Sequence, residues 1–200
     1  MISANAESGE LVSLFNKHMK TIRRFIGIGL VIAAIGALGQ TSTSAAPGGK
    51  RQSIFHALRT SDPQLRQAID VGVARSWTLH DLETRLERSS VIVYIARASL
   101  ARGLVGRTRL IGTGETWRFL SVELDDRITG IDLLTVLGHE LQHAMEIGDA
   151  AGVVDEGSML ALYRRIGIPS VDSESDGQAF ETRQAIETGR RVHMELMGLI

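Results

Sequence analysis

The chain contains no cysteine and few aromatic residues, and neither sign of charge predominates. Without cysteine there can be no disulfide, no thiolate zinc site and no thiol nucleophile. Aromatic residues make up 4% of the chain, which weighs against stacking platforms for single-stranded nucleic acid or sugars. The formal net charge of −1 gives no electrostatic reason to expect nucleic acid or an anionic membrane as a partner. What remains is 200 residues of ordinary globular composition, 44% hydrophobic and 22% charged, for which one domain is the default expectation.

One uncharged apolar segment lies near the N-terminus. Residues Phe25–Gly39 follow Lys20, Arg23 and Arg24 and precede the small-residue stretch QTSTSAAPGGK. A positive start, a short apolar core and a small-residue exit are typical of a secretory signal peptide. The best cleavage position by this pattern lies after Ala45.

This segment predicts how the chain is divided. We expect residues 19–45 to be the signal peptide and residues 1–18 to be an over-long start assignment. Residues 46–50 would be a linker, and residues 51–200 the folded domain. The product would then be exported, either periplasmic or secreted, and would contact a membrane only through this segment if it stayed uncut. A membrane anchor over residues 25–39 is the alternative, although a spanning helix needs about 20 apolar residues.

Hydrophobic periodicity beyond residue 60 predicts helices, then strands, then helices again. Leu65, Ile69 and Val73 recur at every fourth position, as on one face of a helix. In RFLSVEL, residues 118–124, apolar and polar residues alternate, as in a strand with one buried face. We predict helices over residues 63–75, 78–88, 131–147, 155–166 and 177–198, and strands over residues 91–96, 110–112 and 118–124. This order predicts an α+β domain that combines a short antiparallel meander with a central helix and C-terminal helices.

The predicted central helix contains the sequence HELQH, in which His139 and His143 are four positions apart. Such a pair lies on one face of a helix, so both imidazoles can direct a nitrogen at one point. Zinc accepts imidazole nitrogen, and catalytic zinc commonly has three protein ligands and one open position. Glu140 projects about 100° round the helix from His139, where it can reach a water molecule on the ion. We therefore predict a zinc site with His139 and His143 as ligands and Glu140 as the general base.

The third metal ligand is a carboxylate that the sequence alone leaves open. We favour Glu181, which we expect in the first turn of the last helix. Ala185 and Gly189 follow Glu181 on its own helical face, and such small residues let that helix pack closely against another. Gly138 offers a similar low spot beside His139 on the central helix.

Three further carboxylates have weaker claims. Asp149 lies ten residues after His139, but no glycine stands where the chain would have to bend back. Glu174 falls in an acidic loop whose more usual use is to cap the next helix. Glu146 lies about 4.5 Å further along the axis than His143 and is better placed to accept a histidine N–H than to bind the ion.

HELQH followed by a glutamate on a later helix resembles the gluzincin branch of the zincin metallopeptidases. More narrowly, the pattern HELQHA, a LALYRRIG-like helix and FET, within residues 139–182, is similar to small exported bacterial proteins of uncharacterised function. This resemblance spans about residues 85–198 and implies a small zincin-like domain. In zincins the strand before the active-site helix binds substrate backbone along its edge, which implies that RFLSVEL is the peptide-binding edge.

The resemblance implies an exported metallopeptidase that uses Zn²⁺ to hydrolyse a peptide or protein substrate. Glu140 would take a proton from a zinc-bound water and pass it to the leaving amine. Tyr163 and His193 are candidates for a donor to the oxyanion, although neither has a supporting spacing. The alternative is a non-catalytic zinc-binding envelope protein whose metal stabilises the fold. A metal-free helical binding protein with a chance motif is the third hypothesis.

Overall fold

The computed structural model describes residues 57–169 and 180–200. The helices in this part of the chain are α1 (Pro63–Arg75), α2 (Trp77–Glu87), α3 (Gly130–Asp149), α4 (Glu156–Ile166) and α5 (Arg183–Leu196). The strands are β1 (Leu58–Arg59), β2 (Val91–Ala98), β3 (Gly106–Thr113), β4 (Arg118–Asp125), β5 (Ile168–Pro169) and β6 (Phe180–Glu181). The predicted α+β fold class is confirmed. The predicted signal peptide and linker lie outside the described residues, as does Glu174.

Helices α1 and α2 each begin at an N-cap and turn apolar residues towards the core. The side chain of Asp62 accepts the N–H groups of Gln64 and Leu65, and Pro63 takes the first helical position, where no N–H is needed. Ser76 ends α1 and caps α2 by accepting the N–H of Leu79. The buried residues Leu65, Ile69, Leu79, Leu82 and Leu86 turn both helices towards the core.

Strands β1 to β4 form a mixed sheet in the order β1-β2-β4-β3. Strands β1, β2 and β4 run parallel, and β3 is antiparallel to β4. The predicted antiparallel meander is therefore wrong, because β4 inserts between β2 and β3. The side chains give the physical reason. β4 buries Leu120, Val122 and Leu124 completely and suits the interior, whereas β3 carries Arg107 and Arg109 and suits an edge.

This strand order also removes RFLSVEL from the sheet edge. These residues belong to β4, which is hydrogen-bonded to β2 on one side and to β3 on the other. Both rows of its backbone groups are occupied, so the prediction that RFLSVEL is the peptide-binding edge is wrong. The edge on that side of the sheet is β3, whose register shifts by a bulge between Leu110 and Gly112.

Helix α3 is the centre of the molecule. Every residue from Leu133 to Met145 is buried, and the helix contacts strands β2, β3 and β4 as well as helices α1, α2 and α5. Arg118 of β4 fastens the end of α3, because its guanidinium donates to the carbonyls of Ala150 (3.2 Å) and Val153 (2.7 Å). Ala150 is the C-cap of α3 and Val153 lies in the loop that follows, so Arg118 holds the end of the helix and this loop against the sheet. None of the described helices is sufficiently long and apolar to cross a membrane.

Candidate metal centre

His139 and His143 lie on one face of α3, and their side chains meet at a single point. Their Nε2 atoms are 3.1 Å apart, and Oε2 of Glu181 lies 3.3 Å from Nε2 of His139. The ligand atoms of the three residues all fall within 4.8 Å of one another. The two histidines converge because positions i and i+4 lie one above the other along a helix. The structure thus brings together the three side chains that the sequence singles out as metal ligands.

Glu181 reaches the histidines from a two-residue strand rather than from a helix. Strand β6 pairs with β5, with Glu181 opposite Ile168, and α5 begins only at Arg183. The prediction that Glu181 lies in the first turn of the last helix is therefore wrong. Thr182 is the N-cap of α5, and its hydroxyl accepts the N–H of Ala185 at 3.0 Å. Because a cap residue has extended backbone, the residue before it continues the strand.

Glycines set the close approach between α3 and α5. A Cβ at Gly189 would stand 3.2 Å from the carbonyl oxygen of Thr135 and 3.3 Å from Cβ of His139. A Cβ at Gly138 would stand 2.7 Å from Cγ2 of Val192. The prediction that small residues let these helices pack closely is confirmed. The consequence is that α5, which follows Glu181 directly, lies against the backbone of the first histidine.

Glu146 and Tyr163 hold the second histidine. Nδ1 of His143 lies 2.9 Å from Oε2 of Glu146, which is the contact expected for Glu146 from its place on the helix. A proton on Nδ1 directs the lone pair of the other nitrogen, Nε2, towards His139. The Tyr163 ring stands edge-on to His143 at 5.5 Å, and its hydroxyl donates to the carbonyl of His143 at 3.3 Å. These contacts fix both the tautomer and the orientation of the imidazole.

Glu140 is completely buried and contacts the edge strand β3. Its Oε2 accepts a hydrogen bond from the Thr108 hydroxyl at 2.7 Å, whereas Oε1 accepts none from the described residues. A Cβ at Gly106 would stand 2.5 Å from Oε1, so glycine is what leaves room for this oxygen. Burial raises the pKa of the Glu140 carboxyl, against the opposing effects of His139, His143 and Thr108. A carboxyl whose pKa is raised takes up a proton more readily than an ordinary glutamate does.

The electrostatics of the cluster favour a positive charge at its centre. Burial by itself lowers the pKa of His139, but Glu181, Glu140 and Glu146 outweigh it and raise that pKa to about 9. His139 is therefore protonated at neutral pH in the metal-free protein. Nε2 of His139 lies 3.1 Å from Nε2 of His143 and 3.3 Å from Oε2 of Glu181. A metal cation at the same point would satisfy the same carboxylates.

The donors fit a divalent transition-metal ion. With metal–nitrogen distances of about 2.0–2.1 Å, a tetrahedral site places neighbouring ligand atoms about 3.3 Å apart. The two contacts at Nε2 of His139, 3.1 Å and 3.3 Å, are close to that separation, whereas the three ligand atoms together span up to 4.8 Å. Oε1 of Glu140, the residue next to His139, is a buried oxygen that accepts no hydrogen bond from the described residues. Two imidazoles and one carboxylate are also found around non-haem iron, so the donors alone do not single out zinc.

The other residues considered from the sequence lie elsewhere or have other partners. Asp149 is exposed at the end of α3, where it lies 3.8 Å from Arg85, and it does not join the ligand group. Tyr163 is buried with its hydroxyl directed at backbone, which gives no support to a role as an oxyanion donor. His193 is half-buried on α5, and its Nδ1 lies 3.2 Å from the Thr135 hydroxyl.

Thr108, Gly106 and Thr182 are site residues that sequence reasoning missed. Thr108 stands between two arginines in GRTRL, where the alternation of a strand is present but carries almost no apolar residues. The need for glycine at position 106 becomes evident only from the structure, where Glu140 packs against it. Thr182 did carry a signal, because a threonine directly before a periodic helical segment is a common N-cap.

The chain matches no protein-family model, no curated protein and no solved structure. The geometry of the histidines, Glu181 and Glu140 is therefore the basis for assigning a function.

Proposed function

We propose that this protein is a zinc-dependent peptidase in which His139, His143 and Glu181 hold the ion and Glu140 is the general base. One observation carries the proposal. Two imidazoles and a carboxylate converge within 4.8 Å, and the glutamate next to the first ligand is fully buried. The resemblance of HELQH to the zincin metallopeptidases supports the same assignment.

The side chains of the site divide the work of hydrolysis. Zinc, when bound, supplies acidity to a water molecule and polarises a carbonyl. Glu140 accepts a proton from the attacking water and delivers it to the leaving nitrogen. Because Thr108 occupies Oε2, the oxygen available for that proton is Oε1. His143 would hold the ion through Nε2 as a neutral imidazole, because its hydrogen bond to Glu146 keeps the ring proton on Nδ1.

A peptide substrate is favoured by the position of Glu140 against an edge strand. Thr108, the partner of Glu140, belongs to β3, which ends the four-stranded sheet on that side. An extended peptide could pair with β3 by strand addition and bring its own backbone alongside the general base. The flanking residues Arg107 and Arg109 both form ion pairs with Glu123 of β4, so a single carboxylate offsets only one of their two positive charges.

Deep burial favours a second candidate, a metal site that only stabilises the fold. The side chain of His143 is 3% exposed and that of Glu181 19% exposed, so access to the ligands is restricted. A closed site of this kind contributes its binding free energy to folding. The two candidates differ in their demand for Glu140, which a structural site does not need.

Substitution of Glu140 distinguishes the two candidates. Glu140→Gln preserves the size of the side chain and an acceptor for Thr108 but cannot take a proton. For a peptidase we expect zinc content to stay unchanged while hydrolysis of a fluorogenic peptide library falls roughly 10²–10⁴-fold. Glu115→Gln, in the exposed turn between β3 and β4, is the matched control and should leave both unchanged. Zinc binding without any hydrolysis by the wild-type chain would instead favour the structural site.

Export through residues 19–45 is a separate part of the proposal. N-terminal sequencing of the native product is its test. A mature N-terminus at Ala46 would support cleavage after Ala45, and an intact N-terminus in a membrane fraction would support the anchor.

A further inference from the structure

Thr182 stands between the third metal ligand and the last helix. It follows Glu181 in the chain, is 3% exposed and caps α5 by accepting the N–H of Ala185 at 3.0 Å. A hydroxyl also has one proton to donate. In an ordinary cap at the surface this proton goes to water, but Thr182 donates it to Oε1 of Glu146 at 2.6 Å.

Glu146 uses its two oxygens for two different elements. Oε1 accepts from Thr182, and Oε2 lies 2.9 Å from Nδ1 of His143. The Glu146 side chain is 8% exposed, so water has little room to replace either partner. An unbroken series of hydrogen bonds therefore runs from the N-terminus of α5 to the imidazole of His143.

We propose that Thr182 is a positioning residue of the metal centre, coupling the placement of Glu181 to the tautomer and orientation of His143 through Glu146. The inference rests on the metal centre of the proposed function, but it does not depend on peptidase activity. Glu181 lies on β6, whereas His143 lies on α3. Thr182 follows Glu181 in the chain, and its hydroxyl donates to Glu146, which contacts His143. Loss of the hydroxyl deprives Glu146 of a partner and frees the residue next to Glu181 from its anchor.

The decisive variant is Thr182→Val, which keeps the branched shape and removes the hydroxyl. We expect the zinc dissociation constant, measured by competition with a chelator, to rise roughly 10–100-fold, as when a partner of a ligand is lost. Thr182→Ser retains the hydroxyl and should stay within about threefold of wild type, because the same donor and acceptor remain. In wild type, long-range ¹H–¹⁵N spectra should show His143 protonated on Nδ1, and Thr182→Val should populate the other tautomer.

A second helix cap separates positioning from mere stabilisation. Asp155 caps α4 by accepting the N–H of Ser158 at 2.8 Å, in an exposed position. Asp155→Ala should lower the melting temperature of the metal-free chain, as loss of a cap does, while zinc affinity stays unchanged. If Thr182→Val shows that same pattern, it acts as a cap alone, and the inference is overturned.

Glu146→Gln completes a double-mutant cycle with Thr182→Val, and by itself it tests the contact between Glu146 and His143 if Thr182→Val folds poorly. If the coupling runs through Glu146, Thr182→Val should weaken zinc binding much less in the Glu146→Gln background than in wild type. If the two substitutions change the zinc dissociation constant by independent factors, the coupling is overturned. A wild-type chain that binds zinc without hydrolysing peptides rejects the peptidase but leaves this inference to be judged on affinity. A wild-type chain that binds no zinc rejects both.

Discussion

Gly189 of α5 lies directly against His139 of α3: a Cβ at Gly189 would stand 3.3 Å from Cβ of the histidine. The carbonyl oxygen of Thr135, one turn earlier on α3, is as close to this Cβ, at 3.2 Å. Neither neighbour is the flexible end of a long side chain, so a methyl group there must push the helices apart. The geometry of the proposed metal centre therefore depends on a residue that would contribute no ligand.

We expect Gly189→Ala to weaken zinc binding more than it changes stability. Alanine gains about 1 kcal/mol of helix propensity over glycine, whereas overpacking costs about 1–3 kcal/mol, so the two partly cancel in the free energy of unfolding. The displaced α5 still moves Glu181 away from His139. Chelator competition and urea unfolding of the same samples measure the two effects. Gly152→Ala, where a Cβ meets nothing within 4 Å, is the control.

Removing the carboxylate of the third ligand should remove the metal. Zinc content after purification should fall well below one ion per chain in Glu181→Ala and stay at the wild-type level in Asp149→Ala, since Asp149 is exposed near Arg85. Elemental analysis of the three proteins, prepared side by side, is the measurement. Equal zinc content in wild type and Glu181→Ala would remove Glu181 from the ligand set.

Thr108→Val should shift the pH profile of hydrolysis without changing zinc content. The Thr108 hydroxyl stabilises the ionised form of Glu140 and lowers its pKa, against the larger effect of burial. Without that hydrogen bond the pKa of Glu140 rises further, so the base becomes active only at higher pH. The acidic limb of the kcat/KM profile should move up in pH, and Thr108→Ser should restore it. An unchanged limb would mean that this hydrogen bond does not tune the base.

Zinc binding should release a proton from His139. The pKa of this imidazole is about 9 in the metal-free protein, so at pH 7 the ion must displace its proton. We expect about one proton per ion from His139 at pH 7, falling towards zero above pH 9. Calorimetric titrations in buffers of different ionisation enthalpy count the protons. Release that stays constant from pH 7 to pH 10 would contradict the raised pKa.

The same raised pKa predicts that the metal-free protein loses stability in alkali. The folded-state pKa of His139 lies above the value of about 6.5 for an unfolded histidine. Its contribution is therefore fully present below pH 6.5 and disappears as pH rises through about 9. The urea midpoint in the presence of EDTA should fall across this range. His139→Gln removes the titrating group and should give a flatter curve.

The histidine pair is the part of the site that the sequence predicts best, because both residues and their geometry lie on one helix. Spacing along a single regular element converts directly into distance. Glu146 is predictable for the same reason, being three residues after His143 on that helix. The partners of Glu140 are not, since Thr108 lies 32 residues away on a strand with little apolar character.

Glu181 shows where periodicity reaches its limit. The helical pattern of the last segment extends back through FET, residues 180–182, although the helix itself begins only at Arg183. Strand order fails for a related reason. Alternation in RFLSVEL correctly places Leu120, Val122 and Leu124 in the core, but it says nothing of which strands lie beside them. Neighbours in a sheet depend on long-range packing, which local patterns do not encode.

The burial of α3 from Leu133 to Met145 has a consequence for how the histidines move. A segment enclosed on every side by strands and helices exposes its amide hydrogens to solvent only when the domain opens as a whole. Hydrogen–deuterium exchange along HELQH should then be as slow as the slowest in the chain. The backbone that spaces the two imidazoles therefore stays in place for as long as the domain is folded, so the spacing of the histidines is set before any ion binds.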